Sequence, residues 1–257
     1  MNIMNRNAAF IYIILLVLTS LAGCAQTSVR NNSQTDDDPA KINVRLGLAY
    51  LQQGNRELAL AKFEHASRLN PRLATAHLYI AEIYKGEGEI EKAEAHYRQA
   101  EKLDSRDASI KNNYGVFLCD QRRYSEAHKL FLKAAKTRAY DHADEAYENA
   151  GMCAVRAGDA KEAENLFRKA LQINGRRVSS LYQLAKIRYQ EKDYSEARDL
   201  LLRYSKIAAP TPDSLRLAID IERALGNADL AAQLVEKLHK EFPDADEPAP
   251  FLNDAVQ

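Results

Sequence analysis

Residues 47–66 read GLAYLQQGNRELALAKFEHA, and the pattern inside this stretch returns along most of the chain. Its alanine at Ala59 is matched by further alanines at a nearly constant spacing, each with an apolar residue four positions later. Those alanines are Ala93, Ala127, Ala163, Ala197 and Ala231. Within the stretch, apolar residues return every three or four positions, which is the period of a helix, and no alternation typical of a strand competes with it. The sequence therefore predicts a repeated helical unit.

The repeat length identifies the unit. A period of about 34 residues is that of the tetratricopeptide repeat, in which two helices, A and B, form a hairpin that buries its apolar face only when a neighbour stacks on it. With the recurring alanine at position 20, six units follow: 40–73, 74–107, 108–141, 144–177, 178–211 and 212–245. We therefore expect an all-α fold, a right-handed superhelix of six hairpins.

Three further positions support this register. Position 8, where the two helices of a unit approach closely, holds glycine or alanine in five units and Ile219 in the sixth. Position 15 ends helix A and holds glycine in four units, which supplies backbone freedom there, but Arg122 and Lys192 in the other two. Position 24 carries an apolar filler in every unit: Phe63, Tyr97, Phe131, Phe167, Leu201 and Val235. Two extra residues within 139–143 predict a longer loop and a bend between the third and fourth units.

The N-terminal segment has the layout of an export signal. A short positive start at Arg6 precedes an apolar run over residues 8–20, which is shorter than the roughly 20 residues of a membrane span. Leu21-Ala22-Gly23-Cys24 follows and resembles a bacterial lipobox. We expect residues 1–23 to be a lipoprotein signal peptide, with cleavage before Cys24 and lipid attached to that cysteine; the alternative is an ordinary signal peptide with an incidental cysteine.

A tether is expected between the lipid and the repeats. Residues 24–39 are polar after Cys24 and contain almost no large apolar groups, which is typical of a flexible linker that could reach roughly 50 Å. Ala25, rather than aspartate, follows the cysteine, and by resemblance to such lipoproteins this favours the outer membrane. The repeats would then lie in the periplasm of a Gram-negative bacterium, with residues 246–257 as a C-terminal tail.

Composition and motifs point away from catalysis and nucleic acid. The 36 basic residues balance 36 acidic ones, whereas a nucleic-acid-binding surface needs a basic excess. The pairs Arg122-Arg123 and Arg176-Arg177 are interpreted as solvated loop residues, with a phosphate or anionic-lipid role as the alternative. No phosphate loop, H-E-x-x-H or G-x-S-x-G motif occurs, so we expect no enzyme activity, cofactor, metal or small-molecule substrate. His77 and His96 share a hairpin and are interpreted as ordinary polar-face residues.

Two cysteines remain beyond Cys24. Cys119 and Cys153 lie at positions 12 and 10 of helix A in adjacent units, and helices A stack side by side. A disulfide is plausible in an oxidising periplasm, where closing a loop of about 34 residues would contribute roughly 3–4 kcal/mol. The alternative is two separately buried thiols. Because position 12 nominally faces the concave side, Cys119 is expected to be only partly buried.

A partner-binding groove is the expected functional site. In superhelices of this type positions 2, 5, 9, 12 and 13 of helix A usually face the concave groove. We select nine such residues from the third to fifth units: Asn112, Val116, Asp120, Glu148, Met152, Val155, Tyr182, Lys186 and Tyr189. Their mixture of apolar and polar side chains suits an extended peptide or a partner helix.

Two short stretches of sequence are more specific than the generic repeat pattern. Residues 112–119, NNYGVFLC, and 148–153, ENAGMC, followed by Gly158-Asp159, resemble the type IV pilus biogenesis and stability lipoproteins of the PilF/PilW family. The resemblance covers essentially the whole chain. It implies an outer-membrane pilotin that helps the pilus secretin reach the membrane and form its multimeric ring, in support of twitching motility. A competing interpretation is a lipoprotein adaptor for peptidoglycan hydrolases or polysaccharide export, which shares the lipobox and repeats but not these strings.

Overall fold

The structure, a computed structural model, describes residues 38–244 and contains twelve α-helices and no β-strand in that part of the chain. The helices are α1 (Pro39–Gln52), α2 (Arg56–Leu69), α3 (Ala74–Gly86), α4 (Ile90–Leu103), α5 (Ala108–Asp120), α6 (Tyr124–Ala135), α7 (Ala143–Arg156), α8 (Ala160–Ile173), α9 (Val178–Gln190), α10 (Tyr194–Ser205), α11 (Pro212–Ala224) and α12 (Ala228–Glu241). The expected signal peptide, Cys24, most of the linker and the tail lie outside the described residues. None of these twelve helices is long and apolar enough to cross a membrane.

The helices form six hairpins, each from one odd-numbered helix A and the even-numbered helix B that follows it. Each helix B packs on the helix A of the next unit, and helices A of neighbouring units also contact one another. The odd-numbered helices therefore line the inner, concave face of the stack, and the even-numbered helices line its outer face. The predicted all-α stack of tetratricopeptide hairpins is confirmed.

The turn between helices A and B has the same backbone in all six units. The glycines at position 15 have φ between 76° and 79°, and the two other residues there, Arg122 and Lys192, have φ of 59° and 66°. The left-handed conformation is therefore a property of the turn and not only of glycine. After the turn, Asn55, Asp159 and Asp193 accept a hydrogen bond from a backbone N–H in the first turn of helix B, which satisfies a helix donor that would otherwise lack a partner.

Positions 8 and 24 of one unit are complementary in size. A Cβ built on Gly151 would lie 2.7 Å from Cε1 of Phe167, and Gly115 stands in the same relation to Phe131 at 2.8 Å. Both rings are almost fully buried. Where the filler is smaller, as at Leu201, position 8 can hold a larger residue, Ala185. The three units with phenylalanine at position 24 hold glycine at position 8, whereas the second unit combines Ala81 with Tyr97.

The hairpins share a nearly continuous core. Its largest cluster of buried residues extends from Ala74 in α3 to Ile221 in α11. At the junction of the second and third units, Tyr97 lies 5.4 Å from Tyr114 and 5.0 Å from Phe117 between ring centroids. Burial of such large apolar side chains between units, at about 25 cal/mol per Å², provides the stability that isolated short helices lack. The predicted longer loop is present between α6 and α7, over residues 136–142.

Candidate partner-binding groove

The nine predicted groove residues lie on α5, α7 and α9, but the structure divides them into two groups. Seven are open to solvent in part or in full: Val116, Asp120, Met152, Val155, Tyr182, Lys186 and Tyr189. Asn112 and Glu148, which both occupy position 5, are buried. The interpretation of those two as partner-binding residues is therefore wrong, because position 5 in these units faces the neighbouring helix A.

Asn112 belongs to an amide cluster between α5 and α7. Its Oδ1 accepts a hydrogen bond from Nδ2 of Asn149 at 3.1 Å, and its Nδ2 donates to Oε1 of Glu145 at 3.5 Å. A buried amide without such partners would destabilise the fold. Asn112 and Asn149 therefore fix the relative position of the two helices instead of contacting a partner.

Glu148 belongs to a buried charged cluster between α7 and α9. Its Oε2 accepts hydrogen bonds from the backbone N–H of Ser180 at 3.0 Å and from the Ser180 hydroxyl at 2.7 Å, and its Oε1 accepts one from Arg177. Arg177 also forms an ion pair at 3.6 Å with Asp144, which is itself buried and accepts from Asn174. The hydrogen bond that Arg177 donates to Glu148 is the main cause of the raised pKa of Arg177. This cluster orients the fifth unit relative to the fourth.

One arginine of each loop pair, Arg123 and Arg177, differs from the sequence interpretation, whereas Arg122 and Arg176 are exposed as expected. Arg177 is held between Asp144 and Glu148, and Arg123 forms ion pairs with Glu94 at 2.6 Å and Glu126 at 2.8 Å. Neither is a solvated loop residue, since Arg123 is paired with Glu94 of the second unit and Arg177 with two acidic residues of its own unit. The alternative role in binding phosphate or anionic lipid is equally weakened for these two guanidinium groups.

The structure joins Cys119 and Cys153 in a disulfide between α5 and α7, with Cα atoms 5.8 Å apart. Both cysteines are buried, so the expectation that Cys119 is only partly buried is wrong. Beside the disulfide, Arg156 forms an ion pair with Asp120 at 2.7 Å. Because the amide cluster joins the same two helices one to two turns earlier, α5 and α7 are connected at two levels and form a rigid part of the concave face.

Beside these clusters lies a surface that a partner can reach. We call it the inner strip, and it comprises Val116, Met152, Val155, Lys186 and Tyr189 at positions 9 and 12 of the three helices A. Val116, Met152 and Tyr189 also pack against the main core, which limits their mobility. The strip is apolar along α5 and α7 and becomes aromatic and cationic on α9.

The tyrosines of α9 remain protonated at neutral pH. Burial, followed by repulsion from Asp213, raises the pKa of Tyr182 to about 12, and burial with the nearby Asp220 raises the pKa of Tyr189. A neutral tyrosine presents an apolar ring and a hydroxyl that can donate to a backbone carbonyl. This end of the groove is therefore suited to a peptide backbone.

The histidine, cysteine and acidic side chains are the possible metal ligands of the described residues. Within residues 38–244 no three histidine, cysteine, aspartate or glutamate side chains come together as a metal site. His77 and His96 do meet across their hairpin, with Nδ1 atoms 3.1 Å apart. Burial, followed by repulsion from His77, lowers the pKa of His96, which favours the neutral form of the His96 ring.

Several residues that determine the structure of the concave face were not predicted from the repeat pattern. Asp144, Arg177 and Ser180 occupy positions 1, 34 and 3, which are not groove positions, yet they surround Glu148. One signal was present, since Asp144 and Glu148 are four residues apart on one face of α7 and an arginine pair ends the same unit.

Comparison with known protein families supports this architecture. Residues 44–108, 106–176 and 154–218 match models of the tetratricopeptide repeat, so the chain is a tetratricopeptide repeat protein. It is 31% identical over 234 residues to the type IV pilus assembly protein PilF of Pseudomonas aeruginosa, covering 90% of this chain and 93% of that protein. The chain therefore belongs to the PilF/PilW family of type IV pilus biogenesis proteins.

Solved structures of this family have the same fold. A structure of P. aeruginosa PilF superposes with a TM-score of 0.75 at 31% identity, covering 80% of this chain and 93% of that one. PilW, described as a widely conserved type IV pilus biogenesis factor, gives 0.72 at 29% identity, covering 80% and 95%. YrrB, a tetratricopeptide protein with an unusual peptide-binding site, gives 0.58 at 21% identity, which shows likeness of fold alone.

Proposed function

We propose that this protein is an outer-membrane lipoprotein that acts as a pilotin, binding the type IV pilus secretin and promoting its outer-membrane localisation and assembly into a ring. The observation that carries the proposal is the 31% identity to PilF over 90% of the chain. The sequence Leu21-Ala22-Gly23-Cys24 supports the lipid anchor. A lipid at Cys24 and a flexible linker would keep the repeats near the membrane and raise the effective concentration of a bound secretin segment there.

The inner strip is the surface proposed to hold that segment. Its apolar residues Val116, Met152 and Val155 can bury alternate side chains of an extended segment, while the hydroxyl of Tyr189 can bond its backbone. The disulfide and the amide cluster hold α5 and α7 in place before a partner arrives. A preorganised groove binds more tightly because less conformational entropy is lost on association.

The test introduces a negative charge into the inner strip and, as a control, the same charge at a position outside it. Met152→Glu should abolish co-purification of the secretin and reduce both its multimers and their share in the outer membrane. Ile173→Glu in α8 is the control, because it adds the same charge at an exposed apolar residue on the outer face. If both variants retain secretin binding, the strip is not the site; if deletion of the gene leaves secretin multimers and their location unchanged, the pilotin function is wrong.

The anchor is tested separately. Cys24→Ser should leave the purified repeats able to bind the secretin but should release the protein from the membrane fraction and lower the share of secretin found in the outer membrane. Membrane association of the Cys24→Ser protein equal to that of the native protein would contradict the lipid anchor without bearing on the groove.

A further inference from the structure

The outer face carries an apolar opening that the proposed function does not use. Between α10, α11 and α12, at the junction of the last two units, lies a cavity of about 280 Å³. Leu201 and Leu202 of α10, Leu215 of α11, and Leu230 and Leu234 of α12 line most of it. We call this cavity the outer groove. Leu202 is 50% exposed, so the groove is accessible from solvent.

The equivalent junction one unit earlier also has a cavity, of about 240 Å³, but a charged pair crosses it. There, position 25 of the fourth unit is Arg168 and position 19 of the fifth is Glu196, and the two side chains form an ion pair at 2.7 Å across the outer face. The same two positions at the last junction are Leu202 and Leu230. An ion pair that spans the surface is thus replaced by two apolar side chains, so the lining of the last junction is apolar at these two positions where the earlier one is charged.

The smaller filler of the fifth unit also leaves room, since Leu201 lines the groove. Position 24 carries a phenyl or phenol ring in the first four units, but Leu201 and Val235 in the fifth and sixth. A cavity of about 150 Å³ lined by apolar side chains accommodates a benzene-sized ring. The outer groove therefore has space for a phenylalanine side chain together with a second aliphatic one.

The chain itself contains such a pair a short distance beyond the last helix. Phe251 and Leu252 are the only two adjacent large apolar residues after α12. The groove extends along α12 from Leu230 to Lys237, which lies about 6 Å before the end of that helix at Glu241. Phe251 follows Asp244 by seven residues, which at roughly 3.3–3.6 Å each can span about 23 Å. The reach is sufficient for the chain to turn back along α12.

The charges are complementary as well. Residues 244–257 contain four acidic residues and no lysine or arginine, whereas Arg198 and Lys237 border the groove. Arg198 forms an ion pair with the buried Glu222, and Lys237 pairs with Glu241. A second acidic group can therefore approach either cation in addition to its present partner.

From these observations we propose that the outer groove is the docking site of the chain's own segment Phe251-Leu252, which covers the junction of the fifth and sixth units. Docking buries an apolar surface of the last junction that otherwise faces water. It also leaves the concave face open, so that the inner strip and the outer groove act independently.

A tryptophan reporter tests this directly, because the chain contains none. In the full chain reconstituted in phospholipid nanodiscs, Phe251→Trp should emit at shorter wavelength than in the urea-unfolded chain and be quenched several-fold less by acrylamide. Leu202→Arg with Leu230→Glu, which copies the ion pair of Arg168 and Glu196, should return the reporter to the exposed state. Leu58→Glu, which changes an exposed leucine at position 19 of the first unit, is the matched control and should leave the emission unchanged.

Several results would overturn the proposal. Emission and quenching equal to those of the unfolded chain would show that the segment does not dock. Shielding that grows with protein concentration would show that the groove takes a second copy. Should the paired variant fail to fold, deletion of residues 251–257 gives a second measurement: amide hydrogen exchange around Leu202 and Leu234 should accelerate several-fold, and unchanged exchange there contradicts docking.

Discussion

Replacing Gly151 by alanine tests the packing rule that relates positions 8 and 24. The added Cβ would lie 2.7, 2.8 and 3.0 Å from Cε1, Cδ1 and Cζ of Phe167, a ring that is fully buried and cannot swing away. Overpacking costs about 1–3 kcal/mol, and a contact as short as 2.7 Å places the cost in the upper half of that range, whereas alanine regains about 1 kcal/mol of helix propensity over glycine. We expect a net loss of about 1–2 kcal/mol, which lowers the melting temperature by about 2–8 °C for a domain of this size.

A double-mutant cycle isolates the contact. Phe167→Leu alone should cost about 1–2 kcal/mol because it leaves a cavity, but Gly151→Ala with Phe167→Leu reproduces the pair Ala185 and Leu201 of the fifth unit. The double variant should therefore lose about 1 kcal/mol less than the sum of the single variants. Urea unfolding followed by circular dichroism measures all four proteins. Gly86→Ala is the control, since its Cβ would have ordinary contacts with Arg56 at 3.6 Å; an undiminished stability of Gly151→Ala would refute the reasoning.

Four further predictions concern the turns, the buried charge, the disulfide and the histidine pair. Arg122→Gly and Lys192→Gly should each raise the free energy of unfolding by about 0.5–1 kcal/mol, because a left-handed backbone costs most residues more than glycine loses in entropy. Gly88→Ala should lower the free energy of unfolding. Destabilisation by the two glycine variants and stabilisation by Gly88→Ala would contradict this explanation. Glu148→Ala should lower the free energy of unfolding by about 2–4 kcal/mol, because it leaves Arg177 without its main partner. Glu145→Ala is the control in urea unfolding, and an equal loss of stability in the two variants would argue against a special role of Glu148. The double variant Cys119→Ser, Cys153→Ser should lower the free energy of unfolding by roughly 3–4 kcal/mol. Thiol titration of the wild-type protein, unfolded without a reductant, should detect neither cysteine of this pair; two reactive thiols would disprove the disulfide. Because the pKa of His96 is lowered, the unfolded chain binds the proton first, so stability is full above about pH 6.5 and falls below it. The native protein should thus lose stability relative to His96→Phe as the pH falls from about 7 to about 5, and parallel pH profiles would exclude this effect.

The repeat architecture was predictable because the structure of each unit is encoded by residues that are close together in the sequence. The constant period, the small residue at position 8 and the ring at position 24 are local signals, and each is repeated enough times to be recognised even where one copy departs from the pattern. Arg122 and Lys192 illustrate this, since the local context of the turn imposed a positive φ on residues that do not favour it.

The groove was predictable only in part. Positions 9 and 12 of the helices A supplied the accessible residues Val116, Met152 and Tyr189, but position 5 supplied the buried residues Asn112 and Glu148. Whether position 5 faces a partner or the next unit depends on how far neighbouring helices A are rotated and how closely they approach. That distance is set by contacts between units, which a periodic pattern within one unit does not contain.

The sequence by itself determined that the chain is a stack of tetratricopeptide hairpins, because hydrophobic period, small residues and turn positions act over a few neighbouring residues. Only the tertiary structure decided which polar residues of the concave face remain accessible, that Arg177 is tied to Glu148, and that two leucines line the outer groove where an ion pair crosses the previous junction. The physical reason is that burial and ion pairing between units depend on residues a whole repeat apart in the chain, whose distance is defined only when the hairpins stack.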